Sequence, residues 1–225
     1  AVSHYFVQRA PSAITIDGRL DELGWQLAEQ INGFERILND YGRIERATRA
    51  KMLWDDDALY VGFANTDPDI WAICDAEDDP MWAEEVVEVF IDPDGDGRNY
   101  LELEVNPLNV GVDLRIHSAV PSFDGSVDWD IAGLRSAVQV HGTVNDSLDV
   151  DTGWTVEFAI PWAAMADSID GGARPSAGDE WRLNLYRIER KGGRALKARI
   201  DALQAEAQPL TEQIAALVST AGGPR

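Results

Sequence analysis

At 225 residues, 45% apolar and 26% charged, the chain has the composition of a globular protein with room for one well-buried domain and an appendage, and a wholly disordered chain is excluded. The 19 Lys and Arg against 40 Asp and Glu leave a net charge of −21, which repels a phosphate backbone and argues against nucleic acid as a partner. No stretch approaches the roughly 18 consecutive apolar residues of a membrane span, and with Cys74 as the one cysteine there is no intrachain disulfide, CxxC pair or thiolate zinc cluster.

The opening, AVSHYFVQRAPSAITIDG, has no basic segment followed by an apolar run and so does not read as an export signal. Residues 21–30, DELGWQLAEQ, begin with acids suited to a helix N-terminus and predict a short helix with Trp25 as its buried anchor. Residues 47–66 give two β-rich runs around Asp55, Asp56 and Asp57, a hairpin pattern. The same grammar recurs at 85–91 and 99–106, which flank an Asp/Gly loop, and then at 110–117, 137–144, 153–161 and 180–190. A second short helix is expected at 161–167, where Pro161 suits a first turn. Many short strands separated by turn signals predict an all-β fold, an antiparallel β-sandwich of jelly-roll type with short helices.

After Arg190 the composition changes, with Gly192 and Gly193 leading into an Ala, Leu and Gln-rich stretch without aromatic residues. Two segments are therefore expected, a sandwich over 1–191 and a helical extension over 192–225. Leu196, Ile200, Leu203, Ala207, Leu210, Ile214 and Leu217 fall in steps of four and three, the spacing of a coiled-coil seam, and Pro209 interrupts it. Two uses of that seam stand side by side, packing on the sandwich and self-association.

Alternation assigns faces in the hairpin VVEVFIDPDGDGRNYLELEVN. Val87, Val89 and Ile91 share one side, as do Leu101, Leu103 and Val105. The opposite side presents Glu88, Glu104 and Asn106 beside Phe90 and Tyr100. Polar groups on a fixed scaffold next to flat rings suit a pyranose, whose hydroxyls need donors and acceptors and whose carbon face rests on an aromatic ring. An ordinary solvated sheet face has the same pattern. In the connecting loop Asp92, Asp94 and Asp96 repeat oxygen donors and are followed by Gly97, the opening of a calcium loop. Leu103 stands where a bidentate acid would be needed, which excludes the helix-loop-helix site and leaves Ca2+ in another loop geometry or a plain acidic turn.

Of the eight tryptophans, Trp154 and Trp181 lie in alternating apolar runs and are assigned to the core, while Trp71 and Trp82 flank the acidic segment DIWAICDAEDDPMW. The latter two are candidates for stacking on a ligand or for sealing the sandwich edge.

The segments ITIDGRLDELGW, AKMLWDDDALYVGFANTD, DPMWAEEVVEVFIDPDGDGRNYLELEVNP, GWTVEFAIPW and GDEWRLNLYRIER, in that order, resemble the family 9 carbohydrate-binding modules. The resemblance implies a β-sandwich with bound calcium, a sugar site built around tryptophan, and an extracellular or periplasmic accessory role beside glycoside hydrolases. By position, Trp82 resembles the family's first sugar-stacking tryptophan, Glu88 its hydroxyl-binding acid, Asn106 its binding asparagine and Glu189 its late-strand acid; the expected saccharide site adds Arg187 as a hydrogen-bonding group and Trp71 as an alternative stacking ring. Two departures stand out: Glu104 occupies a place where better-studied members are basic, and the heptad helix replaces the family's closing tryptophan-containing segment. The implied function is non-catalytic carbohydrate binding. Other readings are a hydrolase with Glu88 and Glu104 as its carboxylate pair, a haem-binding sandwich drawing on Met81, His117 or His141, and an assembly module driven by the C-terminal helix.

Overall fold

The computed structural model describes residues 3–37, 46–146, 148–166 and 168–190, together with Arg199, Ala202 and Pro209. The chain divides into two compact units, Ala1–Arg190 and Lys191–Arg225. In the second unit the three described residues are helical, and every residue of the heptad seam lies outside the described residues.

The first unit contains β1 (Gln8–Arg9), α1 (Leu23–Leu27), β2 (Thr48–Trp54), β3 (Ala58–Thr66), a 3-10 turn (Met81–Ala83), β4 (Val86–Asp92), β5 (Arg98–Val105) and β6 (Gly111–Ser118). It continues with β7 (Asp124–Ser126), β8 (Arg135–His141), β9 (Gly153–Pro161), α2 (Trp162–Ala166) and β10 (Arg182–Ile188). These strands form two five-stranded sheets, ordered β1-β2-β3-β9-β8 and β10-β4-β5-β6-β7. Pairing is antiparallel throughout except between β1 and β2.

Alternation builds the core. Val87, Val89 and Ile91 of β4 and Leu101, Leu103 and Val105 of β5 face Val61, Phe63, Val156 and Phe158 of the other sheet in one buried cluster, each large apolar side chain contributing about 1.5–3 kcal/mol by leaving water. Phe63 and Phe158 meet edge to face at 6.3 Å.

The two outer faces differ. The outer face of the first sheet is covered by the N-terminal segment and α1, where Ile14, Trp25 and Ala28 pack on Leu53, Tyr60 and Ala159. Glu157 fixes this cover from beneath, its carboxylate accepting hydrogen bonds from the Trp25 indole at 2.7 Å and from the Gly18 amide at 2.8 Å. At Gly18 (φ +83°) a Cβ would lie 2.6 Å from the Gln139 nitrogen, so only glycine lets the segment cross β8 this closely. On the second sheet a smaller apolar cluster of Met81, Val86, Val112, Leu114 and Ile116 shares the outer face with carboxylates.

The first helix is shorter than expected from 21–30. Ala28 already has extended geometry (φ −61°, ψ 136°), and the chain then bridges to β2, with Ile31 and Ala50 exchanging both backbone hydrogen bonds. β1 and β7 carry no sequence signal, because two or three residues are too few to show a period of two.

Candidate functional site

Two adjacent rows define the open face of the second sheet. One runs Tyr186, Glu88, Glu104 and Val112 across β10, β4, β5 and β6, and the next runs Asn184, Phe90, Glu102 and Leu114. The paired register sets Glu88 directly across from Glu104, and one carboxylate oxygen from each of Glu88, Glu102 and Glu104 lies within 4.8 Å of the other two. Phe90 stands edge-on to Tyr186 at 5.1 Å and tilted to Tyr100 at 6.3 Å, so aromatic rings border the acids.

Glu88 is 7% exposed and Glu104 only 2%. Burial, reinforced by the Glu102 charge and opposed by Arg190, pushes the Glu88 carboxyl up to about 7. Burial followed by the charges of Glu88 and Glu102 raises Glu104 well above the usual carboxylate range, and burial raises Glu102 too.

Trp82 sits in the 3-10 turn whose Met81 is packed with Val86 and Val112 on this same face. Its side chain is 47% exposed. Arg190 ties the turn in place, donating to the Trp82 carbonyl at 2.8 Å while its own carbonyl accepts the Trp71 indole N–H at 3.1 Å. Trp71 itself is 1% exposed. The expectation that it stacks on a ligand is therefore corrected: the Ile70-Trp71-Ala72 segment is buried, and the indole anchors Arg190 from inside.

Asn106 needs the same correction. It is fully buried, and its amide donates to the Cys74 carbonyl at 2.9 Å and to Glu84 at 2.8 Å, while its oxygen accepts the amides of Leu108 and Val110 at 3.0 Å each. With every polar atom engaged, it joins loops and has nothing left for a hydroxyl. Glu84 completes this hub by accepting the Ile73 and Cys74 amides at 2.5 and 3.0 Å.

Arg187 and Glu189 are not on the open face. Tyr186 pairs with Glu88, so by strand alternation Arg187, paired with Val87, points into the sandwich. There it donates to Asp67 at 2.8 Å and to the Thr66 carbonyl at 3.0 Å. Glu189 pairs with Arg46 at 2.6 Å, and Arg46 also reaches Asp67 at 3.0 Å. These side chains form a polar network in the end of the sandwich, where burial and then Asp67 raise the Glu85 carboxyl strongly. Of the six saccharide-site residues expected, the structure thus sets Glu88 on the open face, leaves Trp82 exposed in the turn packed against that face, and places Trp71, Asn106, Arg187 and Glu189 elsewhere.

Alternation sets Glu102 beside Tyr100 and Glu104 on one side of β5 without singling it out for the site, while Glu84 and Arg190 were not anticipated. Glu84 and Arg190 lie outside the strands, where alternation says nothing.

In the β4–β5 turn one oxygen from each of Asp92, Asp94 and Asp96 lies within 4.8 Å of the others. Asp92 accepts the Gly95 and Gly97 amides at 3.0 Å each, Asp94 accepts the Asp96 amide at 3.2 Å and Asp96 the Arg98 amide at 2.7 Å. An all-oxygen donor set of this kind fits a hard cation. The haem reading gains no common site: Met81 is buried under Trp82's turn, the His117 imidazole bonds Asn99 at 3.1 Å, and His141 ends β8 on the other sheet.

Two packed sheets, one outer face covered and the other carrying carboxylates and aromatic rings, with an exposed indole in the turn packed on it, make a β-sandwich with a candidate ligand face. The profile of the "Carbohydrate family 9 binding domain-like" family matches residues 16–176, and the chain belongs to that family. Exoglucanase XynX of Acetivibrio thermocellus is 29% identical over 150 residues, 67% of this chain and 12% of that enzyme. Endo-1,4-beta-xylanase A of Thermoanaerobacterium saccharolyticum is 31% identical over 153 residues, 68% of this chain and 11% of that enzyme. The chain therefore spans about an eighth or less of the length of these two relatives. Among solved structures, a family 9 module from Caldicellulosiruptor kristjanssonii in complex with cellotriose has a TM-score of 0.56 at 19% identity, over 84% of this chain and 78% of that one. At that identity the likeness speaks to the fold.

Proposed function

We propose that the open face of the second sheet binds a saccharide without breaking it, and that the chain serves as an accessory to polysaccharide breakdown by glycoside hydrolases outside the cytoplasm. The observation that carries this reading is the juxtaposition of Glu88, Glu102 and Glu104 with Phe90, Tyr100 and Tyr186 on one sheet face, with Trp82 exposed in the turn that packs on that face through Met81. In it, carboxyl oxygens bond the hydroxyls and the Trp82 ring covers a pyranose face. Family membership and the names of the two glycanase relatives support the accessory role.

The non-catalytic part rests on family membership, since the matched family is one of carbohydrate-binding domains, and the paired acids Glu88 and Glu104 are read as hydroxyl-binding groups. The loop of Asp92, Asp94 and Asp96 is assigned a structural Ca2+ in the same proposal, with the cation bracing the β4–β5 turn.

Calorimetric titration of the full chain against a panel of mono- and oligosaccharides tests the proposal. Saturable heat with at least one sugar, and no reducing sugar released, is the expected result. A folded protein silent toward every sugar would refute it.

A further inference from the structure

The open face is unusual in the chemistry it leaves unmet. Glu104 is 2% exposed, and among the described residues its buried Oε2 has no hydrogen-bond partner. Glu88 lies directly opposite, 7% exposed, under the influence of Glu102 and Arg190. Arg190, whose charge acts on Glu88, donates to the Trp82 carbonyl, and among the described residues the side chains acting on Glu104 are Glu88 and Glu102, the latter also through a hydrogen bond. Three carboxyls have converged, Glu102 and Glu104 share a side-chain hydrogen bond, and the Oε2 of Glu104 is still left over; a buried acceptor without a donor costs about 1–3 kcal/mol.

The surroundings select the donor. A hard divalent cation takes six to eight oxygens, yet the neighbours across the strands are carbon: Val112 beside Glu104, Leu114 beside Glu102 and the Tyr186 ring beside Glu88. An ammonium needs three acceptors, and aromatic rings such as Phe90, Tyr100 and Tyr186 suit an organic cation.

Resting on the saccharide reading of this face, we propose that Glu88, Glu102 and Glu104 receive the protonated amine of an amino sugar, so that the preferred ligands are glycans with free amino groups rather than neutral ones. The amine donates one hydrogen bond to each carboxylate, including the orphaned Oε2 of Glu104, while the carbon face of the ring rests on the bordering aromatics.

The test is calorimetry of the full chain with β-1,4-linked glucosamine oligomers, their N-acetylated counterparts and cello-oligosaccharides, repeated on Glu104→Gln and Glu88→Gln, with calcium chloride as a separate titrant. The expected result is that the free-amine oligomer binds about tenfold or more tightly than either neutral series, the worth of one charge-assisted bond. Both substitutions should remove that preference, and far-ultraviolet dichroism should show each variant folded. Equal or stronger binding of the neutral oligomers overturns the inference and leaves the saccharide reading standing. Silence toward all three series overturns both. Calcium binding that is lost in Glu104→Gln, without a preference for amines, makes the triad a metal site and also overturns the inference.

Discussion

Asn106 donates its side-chain amide to the Glu84 carboxylate at 2.8 Å, and this pair holds together the segments carrying Ile73, Trp82 and Leu108, three exposed apolar side chains. The role is that of a clasp. Asn106→Ala would leave the Glu84 oxygen and the Leu108 and Val110 amides without their partner, at about 1–3 kcal/mol for each stranded buried group. Urea unfolding should therefore show a lower midpoint. An unchanged midpoint with lost sugar binding would instead make Asn106 a direct ligand.

Arg187 should behave as a structural residue. Removing one member of a buried ion pair typically costs about 3–5 kcal/mol because the other charge is left unpaired, and Asp67, fully buried, depends on Arg187 and Arg46. Arg187→Ala is expected to lower stability by that order in chemical denaturation. A near-neutral effect would contradict the network.

Stability should fall as pH rises from about 4.5 to about 7. Below about 4.5 Glu88 is protonated in both states; between there and about 7 the unfolded chain releases a proton that the folded chain keeps, which favours unfolding. Asp113, pushed up to about 6 chiefly by burial, acts in the same direction over a narrower window. Each such proton gives a slope of roughly 1.4 kcal/mol per pH unit. Thermal midpoints measured from pH 4.5 to 7 should decline, and Glu88→Gln should flatten the decline. A midpoint that rises across this window in the wild type would contradict the burial of these acids.

Calcium should raise the thermal midpoint if the Asp92 loop takes a cation, since a ligand that binds the folded state alone stabilises it by mass action. Asp94→Asn with Asp96→Asn should abolish the rise while leaving the Asp92 bonds to Gly95 and Gly97 in place. A rise that persists in the double variant would place the cation elsewhere.

The sandwich was legible because strand alternation is local. Val87, Val89 and Ile91 against Leu101, Leu103 and Val105 announce a hairpin with one core face, and the expected β9, 153–161, coincides with Gly153–Pro161. The site was half legible. Alternation put Glu88, Glu102 and Glu104 on one side, but whether a loop tryptophan faces in or out is a tertiary matter: Trp71 and Trp82 share an acidic segment, yet one is buried against the Arg190 carbonyl and the other is exposed. Arg187 shows the limit of positional likeness. Register with β4 turns it inward to Asp67, a partner 120 residues away that spacing in the chain does not reveal.

The most direct test of the binding face uses indole resonances. In protein labelled with 15N at tryptophan, titration with a saccharide should move the Trp82 side-chain signal, identified by its absence in Trp82→Phe, while Trp25, Trp154 and Trp162, buried in the sandwich, stay in place. A saturable titration in which Trp82 does not shift and another indole does would contradict the account.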